Sequence, residues 1–309
     1  MRAMILAAGL GTRLRPLTEH VPKPALPVVD VPNIVRTIEH LKRFGIAEIV
    51  VNLHHRPQAL RDLLGDGAAF GVAIAYSEEA PDILGTGGGI RRALPLLGRG
   101  TFCVVNGDAL FAPDLAGAVE AHRRSGALAT MVVRRDPDAA TFGAVEVDGG
   151  GRVRRLIGAG DPRDGLTPYM FTGVHVLEPE IGHLLPESGC IVRGTYVPLV
   201  REGGALGAFV EGSDFCDLGT PERYLDANAD LVTGASRLAG FEPPPGGVYV
   251  GPGATIGRGC ALGPGTVVER GALVADGVAL ERCLVQSGAV AERSACGVIF
   301  CEGGVQLEV

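Results

Sequence analysis

The last quarter of the chain carries an aliphatic residue at every sixth position. Glycine and other small residues fill the gaps between six successive positions of this kind: Val250, Ile256, Leu262, Val268, Val274 and Leu280. A six-residue period with inward-pointing aliphatic residues predicts a left-handed parallel β-helix, in which each hexapeptide supplies one wall of a triangular prism. The period ends after Leu284. We expect about three coils within residues 248–309, preceded by a proline- and glycine-rich linker at 235–247.

The first 234 residues alternate apolar runs of strand length with segments of helical spacing. Mainly apolar runs, such as residues 1–8 and 48–53, are typical of strands buried in a parallel sheet. Segments with helical spacing or caps follow at 33–44, 89–97, 113–125 and 221–232. This α/β alternation predicts a Rossmann-like, mostly parallel sheet covered by helices on both faces. Residues 1–234 are therefore expected to form one domain.

Charge and composition limit the possible partners. Of the 309 residues, 46% are hydrophobic and 20% are charged, so the chain can bury a large core. A formal net charge of −7 disfavours nucleic acid and anionic membrane surfaces as partners. No apolar stretch reaches the length of a membrane span. Seven cysteines without a CxxC pair indicate reduced thiols, and we expect a cytoplasmic protein.

A glycine turn follows the first apolar run and precedes two cationic residues. Residues 3–8 lead into Gly9-Leu10-Gly11, then comes Arg13, and Lys23 stands between two prolines. Exposed backbone N–H groups in such a turn bind anions, and the two cations add positive charge. A dinucleotide fingerprint would need glycine in place of Leu14, and the Gly-Lys-Ser/Thr ending of a Walker loop is missing. The pattern favours the triphosphate of a nucleotide as ligand.

Residues 6–18, LAAGLGTRLRPLT, together with PKP at 22–24, resemble the sugar-1-phosphate nucleotidyltransferase family. The resemblance makes residues 1–234 the nucleotidyltransferase catalytic domain, with Arg13 and Lys23 as catalytic residues. It also implies that backbone and side chains of the turn contact the nucleotide: Leu6, Ala7, Ala8, Gly9, Gly11 and Thr12.

Four further motifs extend the resemblance towards residue 232. They are LGTGGG at 84–89, NGD at 106–108, TGVH at 172–175 and FCDLGTPER at 215–223. The resemblance implies a Mg²⁺ ion held by Asp108 and Asp217, and nucleotide contacts from Gly87 and Asn106. It further implies that the sugar is contacted by Gly88, Gly143, Thr172 and Gly173. Taken alone, Asp217 could be an ordinary surface acid, and LGTGGG could be a plain helix N-terminus.

Two departures from the family pattern concern the sugar. The midway Glu-Lys-Pro segment of many members is absent, and the region at 152–158 offers Arg154 and Arg155 instead. The chain has no tryptophan, and Phe215 stands near the late aspartate where the family often has one.

The hexapeptide region has no histidine, so we expect no second, acetyl-transferring activity. We expect His54-His55 to lie in a loop near the nucleotide.

The resemblance implies transfer of a nucleotidyl group from a nucleoside triphosphate to a sugar 1-phosphate, with release of pyrophosphate. The GTGGG sequence and the short β-helix favour a mannose-1-phosphate guanylyltransferase-like enzyme. A uridylyltransferase acting on glucose 1-phosphate or N-acetylmuramate 1-phosphate is the alternative. A non-catalytic regulatory or assembly subunit of the same fold is a second alternative, disfavoured because the charged residues are retained. We also expect a homo-oligomer formed through the β-helix.

Overall fold

The computed structural model describes residues 1–137, 139, 143–237 and 241–309. These residues form two compact units. The first unit comprises Met1–Leu10, Thr37–Gly107 and Pro113–Ser213, and the second comprises Gly11–Arg36, Asp108–Ala112 and Asp214–Val309. The limits predicted from sequence, at 1–234, 235–247 and 248–309, stay a prediction. Among the described residues, no helix has the length and apolar character needed to cross a membrane.

In chain order the strands are β1 (Arg2–Leu6), β2 (Pro27–Val28), β3 (Val31–Pro32), β4 (Glu48–Leu53), β5 (Ala73–Glu78), β6 (Phe102–Asn106), β7 (Ala109–Phe111), β8 (Ala129–Arg134), β9 (Val145–Val147), β10 (Val153–Leu156), β11 (Ala159–Gly160), β12 (Thr167–Leu177), β13 (Leu206–Glu211), β14 (Phe215–Asp217), β15 (Val248–Val250), β16 (Thr255–Ile256), β17 (Ala261–Leu262), β18 (Thr266–Val268), β19 (Leu273–Val274), β20 (Ala279–Glu281), β21 (Leu284–Val285), β22 (Val290–Ala291), β23 (Ala295–Cys296), β24 (Val298–Phe300) and β25 (Gln306–Glu308). The α-helices within the described residues are α1 (Asn33–Arg43), α2 (Pro57–Leu64), α3 (Gly85–Leu97), α4 (Leu115–Ser125), α5 (Val197–Arg201) and α6 (Pro221–Thr233).

A ten-stranded mixed sheet organises the first unit. Its main order is β11-β10-β9-β12-β6-β1-β4-β5, and β8 pairs with both β12 and β13. Strands β5, β4, β1 and β6 run parallel, as the apolar runs predict, whereas β12 lies antiparallel to β6, β8 and β9. Strands β1, β4 and β6 are largely buried, with Met4, Phe102 and Val104 fully inaccessible to solvent, whereas β5 at the edge is only partly buried. The sequence expectation of a Rossmann-like α/β sheet is therefore confirmed, with an antiparallel strand joined to its parallel block.

Helix boundaries follow the predicted caps at some ends and not at others. Helices α1 and α6 match the predicted segments to within a residue at each end. Helix α4 begins at Leu115, after the Asp114 side chain accepts a hydrogen bond from the Gly117 N–H. Helix α3 begins at Gly85 rather than at residue 89, so the glycine-rich segment forms its first turns. The sequence prediction places the start of this helix too late because glycine is a poor helix former.

The C-terminal strands form three ladders, which are parallel except for the last strand, β25, paired antiparallel with β24. Residues 18 positions apart are paired in the first coils: Val250 with Val268, Ile256 with Val274, and Leu262 with Leu280. This register equals three of the six-residue periods, which is the arrangement expected for a β-helix. Its handedness stays a prediction. Val268, Val274 and Leu280 are buried, whereas Val250 and Ile256 are exposed because β15 and β16 are edge strands of their ladders.

Within the second unit, helix α6 packs against the C-terminal strands. Tyr224 and Leu231 of the helix share an apolar core with Val267, Leu284 and Ile299. The C-terminal strands are therefore stabilised in part by packing against this helix.

The β2–β3 hairpin is fastened to the same strands by Asp30, which occupies its turn with φ = 63°. The Asp30 carboxylate accepts hydrogen bonds from the Arg270 N–H (2.8 Å) and the Tyr249 hydroxyl (3.1 Å).

Candidate active site

The two predicted metal-binding acids are brought together by a short strand pair in the second unit. Strands β7 and β14 are antiparallel, and Ala109 is paired with Asp217. Asp108 directly precedes Ala109, so its carboxyl group lies beside that of Asp217 at the end of the pair. The strands are held by an edge-to-face contact between Phe111 and Phe215, whose ring centroids are 5.3 Å apart. The 109-residue separation in sequence is thus closed by two strands of three residues.

Lys23 lies between these acids. Its Nζ is 2.7 Å from Asp108 Oδ2 and 3.5 Å from Asp217 Oδ1. The proline-flanked segment forms a 3₁₀ turn over Lys23–Ala25, which fixes the backbone from which the side chain extends. The lysine side chain is 8% exposed, whereas those of Asp108 and Asp217 are 40% and 31% exposed. The ammonium therefore offsets part of the negative charge of the two acids, while their carboxylates remain open to a ligand.

Two arginines lie beside Asp217. Arg223, in the first turn of α6, donates a hydrogen bond from Nη1 to Asp217 Oδ2 at 2.9 Å. A Cβ atom on Gly219 would lie 2.7 Å from Asp217 Oδ2 and 3.1 Å from Arg13 Nη2, so the Arg13 guanidinium lies next to the same carboxylate. The structure thus brings the four charged residues singled out from sequence to one place. Sequence reasoning gave Arg223 no role; its position shortly after Asp217, at the start of a capped helix, is the signal that could have identified it.

The two glycines of the N-terminal turn differ in how much room their surroundings leave for a side chain. Gly11 has φ = 62°, and a Cβ there would lie 3.0 Å from Thr18 Cγ2 and 3.3 Å from Lys23 Cβ. Gly9 is exposed, and no atom of the described residues lies within 4 Å of the position its Cβ would take. Gly11 is therefore needed for folding of the turn. At Gly9, the space that a side chain would occupy is not filled by the protein.

The other predicted residues of this turn differ in exposure. Ala7 and Ala8 are buried, Leu6 is half-buried and Thr12 is exposed. Their contacts with a nucleotide stay a prediction.

The glycines of the LGTGGG segment pack against the chain at 186–189. A Cβ on Gly87 would lie 2.7 Å from Pro186 Cγ, and one on Gly88 would overlap the Glu187 carbonyl oxygen. The Gly87 N–H donates to the Gly189 carbonyl at 2.8 Å. These glycines are thus required by a close approach of protein backbone. The predicted contacts of Gly87 with nucleotide and of Gly88 with sugar stay untested.

The remaining predicted site residues lie at a bulge in β12, at the end of β6 and shortly before β9. Thr172 is buried and its hydroxyl donates to the Val132 carbonyl at 2.7 Å. Gly173 has φ = 80°, and a Cβ there would overlap the Asn106 side-chain amide. Gly143 has φ = 89° and lies against Ile157. The structure therefore brings Gly173 to Asn106, and the ligand contacts proposed for this group remain predictions.

The two arginines considered as replacements for the missing lysine are both paired with acids. Arg154 Nε is 2.5 Å from Asp148 Oδ2, and Arg155 Nη1 is 3.2 Å from Glu146 Oε1. Both pairs lie within the β9–β10 region of the sheet. A phosphate bound by either guanidinium would have to compete with a neighbouring carboxylate.

The two carboxylates of the site suit a hard divalent cation that also binds water and substrate phosphates. Mg²⁺ prefers oxygen, and it is usually bound through one or two carboxylates together with water and substrate phosphates. Asp108 and Asp217 supply two carboxylates within reach of one ammonium. Among the described residues, no cluster of three or more His, Cys, Asp or Glu side chains could hold a metal by itself. The residues present therefore fit an ion that binds together with phosphate.

The family model for nucleotidyl transferases matches residues 2–234. The chain belongs to this family. It is 33% identical over 264 residues to mannose-1-phosphate guanylyltransferase of Mycobacterium tuberculosis, covering 84% of this chain and 72% of that protein. It is 32% identical over 268 residues to UTP–glucose-1-phosphate uridylyltransferase of Synechocystis, covering 81% of this chain and 69% of that protein.

A solved structure of HddC from Yersinia pseudotuberculosis, complexed with GMP-PN, has the same fold as this member of the family. The TM-score is 0.60 at 24% identity, over 74% of this chain and 97% of that chain. The family and fold class predicted from the N-terminal motif and the strand pattern are thereby confirmed.

Proposed function

We propose that this protein transfers a nucleotidyl group from a nucleoside triphosphate to a sugar 1-phosphate, forming a nucleoside-diphosphate sugar and pyrophosphate. The observation that carries the proposal is the position of the Lys23 ammonium between Asp108 and Asp217, with Arg13 and Arg223 beside it. Two phosphoryl groups repel each other, so the reaction needs concentrated positive charge rather than a covalent nucleophile. A cluster of cations and metal-binding acids in one place meets that need.

Enzymes of this family use a divalent metal ion, and Mg²⁺ is the ion proposed here. Asp108 and Asp217 would hold it. When bound, the ion would supply charge neutralisation for both reacting phosphates. The 40% and 31% exposure of the two side chains leaves their carboxylates accessible for this purpose.

The chain's own cations would divide the phosphate charges between them. Lys23 would neutralise charge at the α-phosphate or at the sugar phosphate, since its ammonium has three donors and lies within 4 Å of both acids. Arg13 and the backbone amides of the turn at 9–12 would hold the departing pyrophosphate. Positioning both substrates for in-line attack supplies the remaining rate enhancement.

Mannose 1-phosphate with GTP is the proposed substrate pair. The similarity to the mycobacterial guanylyltransferase supports it, as does the GTGGG sequence. The similarity to the Synechocystis uridylyltransferase supports UTP with glucose 1-phosphate as the second candidate, and UTP with N-acetylmuramate 1-phosphate was the further alternative from sequence. Association of copies through the C-terminal strands belongs to the same proposal.

A substrate panel tests the proposal directly. Four nucleoside triphosphates are combined in turn with mannose, glucose and N-acetylmuramate 1-phosphates, with and without Mg²⁺, and pyrophosphate release is measured. We expect metal-dependent release with one pair far above the rest, highest with GTP and mannose 1-phosphate. Release that favours UTP would replace the substrate pair but keep the reaction class. No release with any pair would favour the non-catalytic alternative.

A further inference from the structure

A buried carboxyl group in the first unit is held by hydrogen bonds at both of its oxygens. Glu79 is 2% exposed, and within the described part of the chain it forms no ion pair. Glu79 Oε1 accepts from Asn52 Nδ2 and Oε2 accepts from the Leu84 N–H, both at 2.6 Å. A carboxyl group buried in this way needs such donors, because burial of an unsatisfied polar group is unfavourable.

The hydrogen bonds continue to the glycine turn. Asn52, which is 3% exposed, accepts a hydrogen bond from the Ala7 N–H at its Oδ1 atom, over 2.6 Å. An unbroken chain of three short hydrogen bonds therefore runs from Ala7 through Asn52 and Glu79 to Leu84. The donor and acceptor of each hydrogen bond are fixed, since a carboxylate only accepts and a backbone N–H only donates.

Strand order explains why these residues meet. Strands β1, β4 and β5 are parallel neighbours, and Ala7, Asn52 and Glu79 lie at or just after their carboxyl ends. Ligands of open α/β sheets bind at this edge. A Cβ on Gly89 would lie 2.5 Å from Glu79 Oε1, so the first turns of α3 also close against the carboxylate.

We propose that Asn52 and Glu79 are positioning residues that set the spacing between the turn at 7–9 and the segment at 84–89. The proposal rests on the proposed function, together with the nucleotide contacts that the sequence predicts for the N-terminal turn and for Gly87. Neither side chain needs to touch the nucleotide, since both are buried and engaged with protein atoms. The pair acts through the Ala7 and Leu84 backbones.

The proposal can be tested by exchanging the amide and the carboxylate between Asn52 and Glu79. In Glu79→Gln, one side-chain end becomes a donor and faces either the Asn52 amide or the Leu84 N–H, which are donors as well. In Asn52→Asp, two carboxylates face each other. In the double variant, the new aspartate accepts from Ala7 and from the new glutamine amide, and the glutamine oxygen accepts from Leu84. All three hydrogen bonds and the net charge are restored.

The experiment measures nucleotide dissociation constants by titration without sugar phosphate, together with KM, kcat and thermal unfolding of the full chain. Each single variant is expected to raise the nucleotide Kd and KM at least about tenfold, the change expected for loss of one hydrogen bond to a charged group. The double variant is expected to return to within about threefold of wild type. Glu78→Gln is the matched control, because the neighbouring Glu78 is exposed and pairs with Arg61.

Several outcomes decide the inference. Single variants that lower thermal stability without changing nucleotide affinity would overturn it, as would a double variant that folds but does not regain affinity. Should Glu79→Gln fail to fold, Asn52→Asp and the double variant give the same comparison. Wild-type protein that binds no nucleotide would refute the proposed function itself, whereas normal wild-type binding with unaffected variants refutes only the positioning role.

Discussion

Alanine substitutions at Gly9 and Gly11 are expected to separate ligand binding from folding. At Gly11, alanine would adopt a left-handed conformation at φ = 62°, which costs roughly 1–2 kcal/mol. Its Cβ would also press on Thr18 Cγ2 at 3.0 Å and Lys23 Cβ at 3.3 Å. We therefore expect Gly11→Ala to lower the unfolding free energy by about 2 kcal/mol.

Gly9→Ala has the opposite profile. No described atom lies within 4 Å of the new Cβ, so the unfolding free energy should stay the same or rise by up to about 1 kcal/mol through loss of unfolded-state freedom. The methyl group would fill space that the proposed function gives to phosphate. Overpacking of this kind costs about 1–3 kcal/mol, which corresponds to a roughly five- to 150-fold increase in KM for the triphosphate.

The assay is a paired measurement of denaturant unfolding and steady-state KM on both variants. Gly100→Ala serves as the control, because its Cβ also meets no described atom within 4 Å and Gly100 lies outside the predicted site. An unchanged KM in Gly9→Ala would refute the assignment of this turn to the triphosphate. An unaffected unfolding free energy in Gly11→Ala would refute the packing argument.

Further predictions concern charge and stability. Lys23→Ala should fold and lose about 3–4 kcal/mol of transition-state stabilisation, or roughly 150- to 900-fold in kcat/KM, while Lys42→Ala serves as the other-lysine control; an unchanged kcat in pyrophosphate release would contradict the role. Burial raises the pKa of Glu269 from 4.5 to about 8, so the folded state retains a proton that the unfolded chain releases. Its contribution to the unfolding free energy should fall by roughly 1.4 kcal/mol per pH unit between pH 4.5 and 8, and Glu269→Gln should flatten this slope in denaturant unfolding at several pH values. Asp30→Ala should lower the unfolding free energy by about 2 kcal/mol through loss of two hydrogen bonds, and a change below about 0.5 kcal/mol would contradict this.

Local patterns in the sequence predicted the features that depend on local physics. The parallel strands β1 and β4 follow from mainly apolar runs, and the 18-residue ladder register follows from the six-residue period. Arg13 and Lys23 were singled out from their place after the glycine turn and from the prolines beside Lys23, whereas Asp108 and Asp217 came only from the family resemblance. Their convergence was expected from the family resemblance rather than from spacing.

Features that depend on tertiary contacts were not predicted. The antiparallel direction of β12 depends on how its connection crosses the sheet, which composition does not reveal. Arg223 became part of the site only once α6 was placed beside β14. The Asn52–Glu79 pair joins residues 27 positions apart through strand order, and neither residue stands in a recognisable motif.

The same limit applies to the glycine-rich segment. The sequence assigned Gly87 and Gly88 to ligand contacts. In the structure, both positions also require glycine because the chain at 186–189 leaves no room for a Cβ atom. A glycine allows any close neighbour to approach, whether that neighbour is a ligand or a backbone carbonyl. Only coordinates distinguish the two cases.

The scarcity of lysine has a practical consequence for labelling. The sequence contains two lysines, and the side chain of Lys23 is 8% exposed and paired with two carboxylates, whereas Lys42 is exposed. Amine-reactive dyes and surface-coupling reagents should therefore modify Lys42 in preference to the ammonium on which the proposed chemistry depends. A fluorescent or immobilised form of the protein can accordingly be prepared by direct conjugation, without first introducing a cysteine or a tag.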